Sequence, residues 1–103
     1  MEKEHAVQTI SVNELKKQYD NNDQICLIDV RELEEWQDIH IPKALHISKD
    51  NLLSQISDKI PEISLPIYLH CRSGVRSLHA ANALLQLGYK DVYSVDGGIV
   101  AWA

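Results

Sequence analysis

Ile67-Tyr68-Leu69-His70-Cys71-Arg72-Ser73-Gly74-Val75-Arg76-Ser77 is the stretch on which the fold turns. Ile67 to His70 reads as a short strand, and the following residues form a loop around Gly74. A helix then runs to about Leu87, with Gly88 as its C′ residue. In this helix Val75, Leu78, Ala81, Leu84, Leu85 and Leu87 recur at spacings of three and four, which predicts an inward stripe. A strand that stops at a cysteine and re-enters a helix through a glycine loop brings several backbone N–H groups towards the sulfur. Converging amides, the positive end of the helix dipole and the guanidinium groups of Arg72 and Arg76 all favour the thiolate, the nucleophilic form. Ser73 and Ser77 add hydroxyl donors, and Gly74 permits a positive φ or a close backbone approach. A cysteine closing a buried strand is ordinarily an inert apolar thiol. Two arginines, two serines and a glycine in the next six positions reverse that reading for Cys71.

Outward from this loop the chain alternates strands and helices. Upstream, Val7 to Ile10 is a strand candidate, and Ser11 with Glu14 has the spacing of a capping box ahead of a helix from Val12 to Tyr19. The polar stretch Asp20 to Asp23 ends that helix, and Ile25-Cys-Leu-Ile28 is an apolar run suited to a strand buried on both faces. Glu32 to Asp38 is helix-compatible with Trp36 as its anchor, Ala44 to Ile47 reads as a strand and Asn51 to Ile60 as a helix. Pro61 and Pro66 bound a connector. Downstream, Asp91 to Val95 is the last strand, and Gly97-Gly98 turns the chain into Ile99 to Trp102. This alternation predicts an α/β fold with a mainly parallel sheet between helices, in which ligands bind beyond the carboxyl ends of the strands where their order reverses.

With 103 residues, 45% of them hydrophobic and 24% charged, the chain is expected to be one domain spanning 1–103, folding on its own. A formal net charge of −5 argues against a nucleic-acid partner. No long apolar run suggests a membrane span, and the charged start Met1 to His5 leads into no apolar segment, so a cytoplasmic protein with reduced thiols is expected. Cys26, inside its apolar run, reads as a core residue.

The loop Cys71 to Ser77 makes the chain resemble rhodanese-like domains, and two further motifs extend the likeness over most of its length. Leu27-Ile-Asp-Val-Arg31, with Glu35-Trp36 and His40-Ile-Pro-Lys-Ala44, is similar to that family's first signature. Asp96-Gly-Gly-Ile-Val-Ala-Trp102 is similar to its last. Ile39 and Lys43 stand where the family usually has glycine.

The resemblance implies a three-layer α/β/α fold with a five-stranded parallel sheet in the order 3-2-4-5-1, so that Asp29 and Cys71 face one crevice. It also implies a sulfurtransferase without metal or cofactor, in which Cys71 attacks the outer sulfur of a donor such as thiosulfate and keeps it as a persulfide. The amides of Arg72, Ser73, Gly74, Val75 and Arg76 would hold the persulfide, and cyanide or a thiol would take the terminal sulfur. The alternative in the same family is a persulfide carrier or interaction module supplied by a protein donor. A cysteine phosphatase of related fold needs Cys-x5-Arg to grip a phosphate. Here that sixth position is Ser77, and Arg76 falls one residue early.

Asp29, Arg31 and Glu35 are expected to form a hydrogen-bonded or ionic scaffold beneath the loop, with Ser77 in support; Arg72 and Arg76 are expected to attract an anionic donor, Arg76 orienting it. His70 should point to the face opposite Cys71. His40 reads as structural, and Trp36 and Trp102 as core or lid residues. The histidines show no metal-ligand spacing.

Overall fold

The structure is a computed structural model that describes residues 7–22 and 24–102. The charged start Met1 to His5 and Asp23 lie outside the described residues. Eleven short segments follow the alternation read from the sequence, beginning with β1 (Gln8–Ile10), α1 (Val12–Asn21), β2 (Cys26–Asp29), α2 (Leu33–Asp38) and β3 (Leu45–His46). One turn of 3-10 helix (Lys49–Asn51) leads into α3 (Leu52–Lys59). Then come β4 (Ile67–His70), α4 (Val75–Leu87), β5 (Val92–Val95) and α5 (Gly98–Trp102). All strand pairs are parallel and the order is β1-β5-β4-β2-β3, the expected order read from the opposite edge. The order reverses between β2 and β4, where Asp29 is in register with His70.

Alternation along the strands divides the core between the two faces of the sheet. Ile28, Val30, Ile67, Leu69 and Cys71 meet Leu52 and Ile56 of α3 and Ala80, Ala81 and Leu84 of α4. On the other face Leu27, Tyr68 and Val95 meet Leu15 of α1, with Trp36 and Trp102 packed alongside. Among the described residues no helix is long and apolar enough to cross a membrane.

The inward stripe of α4 differs from the sequence reading. Ala81 and Leu84 are buried and Leu85 is half-buried, but Val75, Leu78 and Leu87 are 62%, 40% and 52% exposed. The buried face is instead Ser77, Ala80, Ala81 and Leu84. Those positions also fall at helical spacing, and the small side chains of Ser77, Ala80 and Ala81 let α4 lie close to the sheet, so packing distance overrode hydrophobicity. The expected capping box at α1 is half formed: the Glu14 amide donates to Ser11 Oγ at 3.1 Å, while the Glu14 carboxylate lies 3.6 Å from Lys17. Cys26 is half-buried rather than fully enclosed, since β2 starts at an open groove lined by Gln18, Gln24 and Pro66.

Where glycines were expected, Ile39 and Lys43 take ordinary backbone, with no positive φ outside glycine among the described residues. Lys43 gives this turn a different anchor. Its Nζ donates to the Tyr19 carbonyl at 2.6 Å and lies 4.4 Å from the Tyr19 ring centre.

Candidate active site

Cys71 leaves β4 on the side that faces α4, and the loop behind it folds over the sulfur. The Gly74 amide donates to Cys71 Sγ at 3.1 Å. Gly74 reaches that position at φ +115, in the left-handed region that glycine enters freely. Ser77, on the first turn of α4, sets its hydroxyl 3.6 Å from the sulfur and 2.7 Å from Ser94 Oγ of β5. Burial pushes the Cys71 thiol up, but hydrogen bonding from the Ser77 hydroxyl and from the amides of Ser77, Gly74 and Ser73 outweighs it, so the thiol is held below its ordinary range. Among the described residues Cys26 has no such donors, and burial pushes its thiol up.

The amides can turn inward because the loop carbonyls are engaged elsewhere. Ile99 N–H donates to the Cys71 carbonyl at 3.0 Å and Val100 N–H to the Arg72 carbonyl at 3.1 Å, while Leu78 N–H and the Ser77 hydroxyl both reach the Gly74 carbonyl. The start of α5 thus clamps the outer side of the loop. Gly98 makes the clamp: at φ +55, a Cβ there would fall inside contact distance of the Cys71 and Arg72 carbonyl oxygens. Gly98→Ala is therefore expected to push α5 off the loop and cut the reactivity of Cys71 at least tenfold, a loss of about 1.4 kcal/mol or more. Alkylation of Cys71 at wild-type speed in that variant would remove the clamp from the account.

Beneath the loop lies a buried ionic scaffold. Asp29 is fully buried and Arg31 nearly so. Asp29 Oδ1 accepts from Arg31 N at 2.9 Å and from Nε at 3.0 Å, and Oδ2 accepts from Arg31 Nη2 at 2.8 Å. Arg31 Nη2 also donates to the Ile39 carbonyl at 2.6 Å, tying β2 to the turn after α2. His70 lies on the face opposite Cys71, fully buried, with Nδ1 3.2 Å from the Cys71 carbonyl and Nε2 3.7 Å from Asp29 Oδ2. Burial pushes its imidazole down against the pull of Asp29 and the Cys71 carbonyl. The neutral ring with its proton on Nδ1 donates to that carbonyl. His40 and His46 flank Trp36, with ring centres 3.6 and 5.3 Å away, so all three belong to the packing around α2. Trp102 is half-buried, edge-on to Tyr19.

The two arginines of the loop have different surroundings. Arg76 forms a two-pronged ion pair with Glu35 of α2, Nη1 to Oε1 at 2.8 Å and Nη2 to Oε2 at 3.0 Å. Glu35 Oε1 also accepts the Glu32 amide at 2.9 Å. The Arg72 side chain is exposed and has no ion pair or hydrogen bond among the described residues. Val75 is exposed at the rim. Glu35 was expected in the scaffold with Asp29 and Arg31; its hold on Arg76 was not read from the sequence. Ser94 was missed, though a serine at a buried position of the apolar strand Val92-Tyr-Ser-Val95 is a signal that could have found it.

The ion pair carries a pH dependence. The Arg76 guanidinium holds the Glu35 carboxyl down at about 2, against burial and with help from the Glu32 amide. A carboxyl lowered on folding stabilises the fold above its unfolded value, about 4.3, and loses that contribution as pH falls through about 2. The gap in thermal midpoint between wild type and Glu35→Gln should therefore shrink as pH is lowered from about 5 to 2. A gap that stays constant or widens on acidification would show that the pair contributes nothing.

Comparison with known proteins shows relatives along most of the chain. The uncharacterized RP600 homolog of Rickettsia rickettsii is 43% identical over 98 residues, covering 80% of this chain and 77% of that protein. The thiosulfate sulfurtransferase GlpE of Pseudoalteromonas translucida is 34% identical over 97 residues, covering 94% and 90%. Among solved structures, the human single-domain sulfurtransferase TSTD1 superposes with a TM-score of 0.82 at 27% identity, covering 93% of this chain and 95% of its own. The family model for the rhodanese-like domain matches residues 11–103, and the chain belongs to that family.

Proposed function

We propose that the protein is a sulfurtransferase that carries sulfane sulfur as a persulfide on Cys71. The observation that carries this reading is the sulfur that accepts from the Gly74 amide and faces the Ser77 hydroxyl, with its thiol held low although the residue is fully buried. In the first step the Cys71 thiolate attacks the outer sulfur of the donor. A new S–S bond forms, the donor's S–S bond breaks, and its electron pair leaves on the departing group, which is sulfite when thiosulfate is the donor. In the second step cyanide or a thiol attacks the terminal sulfur, the bond to Cys71 breaks, and the thiolate is regenerated.

In this reading the amides of Ser73, Gly74 and Ser77 stabilise the charge on sulfur in both steps. The unpaired Arg72 attracts an anionic donor, and the Asp29–Arg31 pair holds the crevice wall. Because Cys71 has no exposed surface, donor entry includes a displacement of the loop side chains above it. A second reading, a carrier charged by a protein or small-thiol persulfide, is favoured by the pairing of Arg76 with Glu35, which leaves Arg72 as the only unpaired cation of the loop among the described residues.

The test is intact mass before and after incubation with thiosulfate or with a small-thiol persulfide, and again after cyanide. A gain of one sulfur that cyanide removes supports persulfide transfer, and the faster donor separates the two readings. No gain with either donor would overturn the function.

A further inference from the structure

The cleft beside the loop is lined by Arg31, Glu35, Asp38 and Arg72, with apolar walls from Ile39 and Val100. Its charges largely cancel. Arg31 is neutralised by Asp29, and Arg76, beside the sulfur on the first turn of α4, by Glu35. That leaves Arg72 and Asp38, which carry opposite charges and have no partners among the described residues. A loop that looks dicationic in the sequence therefore presents little net charge to an incoming molecule.

Glu35 is firmly placed. It sits at the start of the short helix α2, and one of its oxygens is also bound by the Glu32 amide, so the carboxylate stays opposite Arg76 without rearrangement. Glu35 takes the end-on fork of the Arg76 guanidinium and neutralises its charge, so an incoming anion meets a paired cation and can bind end-on only by displacing Glu35.

We propose that Glu35 determines donor charge selectivity: by occupying Arg76 it disfavours dianionic donors such as thiosulfate and directs the site towards sulfur donors of low charge, the persulfides of thiols. This rests on the reading of Cys71 as the nucleophile. Glu35 acts through Arg76 and is a specificity-determining residue, not a catalytic one.

The experiment measures alkylation of Cys71 by iodoacetate, which is anionic, and by iodoacetamide, which is uncharged and of nearly the same size. Cys71 is resolved from Cys26 by the masses of their peptides. Wild type is compared with Glu35→Gln, which keeps an oxygen for the Glu32 amide, and with Asp38→Asn, which makes the same change of charge in the same cleft without touching Arg76. The iodoacetate-to-iodoacetamide rate ratio is expected to rise about threefold or more in Glu35→Gln, as release of a partly exposed ion pair allows, and clearly less in Asp38→Asn. A ratio that is unchanged or lower in Glu35→Gln would overturn the proposal. An equal rise in Asp38→Asn would do so too, because it would reduce the effect to net charge, as would failure of both reagents to reach Cys71. Alkylation needs a reactive thiol but no sulfur transfer. A raised ratio with no persulfide formed would therefore leave the control of charge selectivity by Glu35 standing, while the proposed function, and with it the choice among sulfur donors, fell.

Discussion

Cys71→Ser is expected to gain no sulfur from thiosulfate or from a thiol persulfide and to lower transfer about a thousandfold or more, because a serine hydroxyl does not ionise where a favoured thiol does. The fold should survive. Serine is slightly smaller than cysteine, and its hydroxyl would lie close to the Gly74 amide and the Ser77 hydroxyl that now face the sulfur. Circular dichroism and the thermal midpoint should thus stay near wild type while the mass gain disappears. Cys26 provides an internal control. It is half-buried with its thiol pushed up, and its end of β2 lies away from the Cys71 loop, so it should not take over. A sulfur adduct that persists in Cys71→Ser and is removed by cyanide would refute the assignment of the nucleophile.

The largest loss of stability is expected from Asp29→Ala. Arg31 is only 4% exposed and relies on Asp29 for its neutralising charge, so the substitution leaves a buried guanidinium with no counter-charge and only the Ile39 carbonyl to bind. Breaking a buried pair in this way costs about 3–5 kcal/mol. For a domain of this size each kcal/mol moves the midpoint by about 4–8 °C, so a fall of about 12–40 °C is expected. The double variant Asp29→Ala with Arg31→Met separates causes. If the loss comes from the stranded charge, removing that charge as well should recover much of it. A double variant no more stable than the single one would mean that the hydrogen bonds and packing of Asp29, rather than the charge of Arg31, hold the crevice. An Asp29→Ala midpoint within a few degrees of wild type would dismiss the scaffold.

Much of the architecture was legible because its signals are local. The apolar run ahead of Asp29, the Ser11 cap, the strand that stops at Cys71 and the left-handed Gly74 and Gly88 each express a backbone requirement of a few neighbouring residues. Hydrophobicity alone does not give the phase of α4. Where a helix lies close against a sheet, small residues such as Ser77, Ala80 and Ala81 make the contact, and larger ones such as Val75 and Leu78 are left at the rim.

The sequence by itself determined the order of elements, the parallel sheet and the place of a cysteine at the end of a central strand, since periodicity and turn chemistry act over short distances. Only the tertiary structure decided which charges remain available. Arg76 and Glu35 are 41 positions apart, Ser77 and Ser94 are 17 apart, and Gly98 meets the Cys71 loop from another part of the chain. Charge pairing depends on distance in space, which no local pattern encodes, so the two arginines that look alike in Cys71 to Ser77 became one engaged and one without a partner among the described residues only when the fold brought Glu35 of α2 within reach of the first turn of α4.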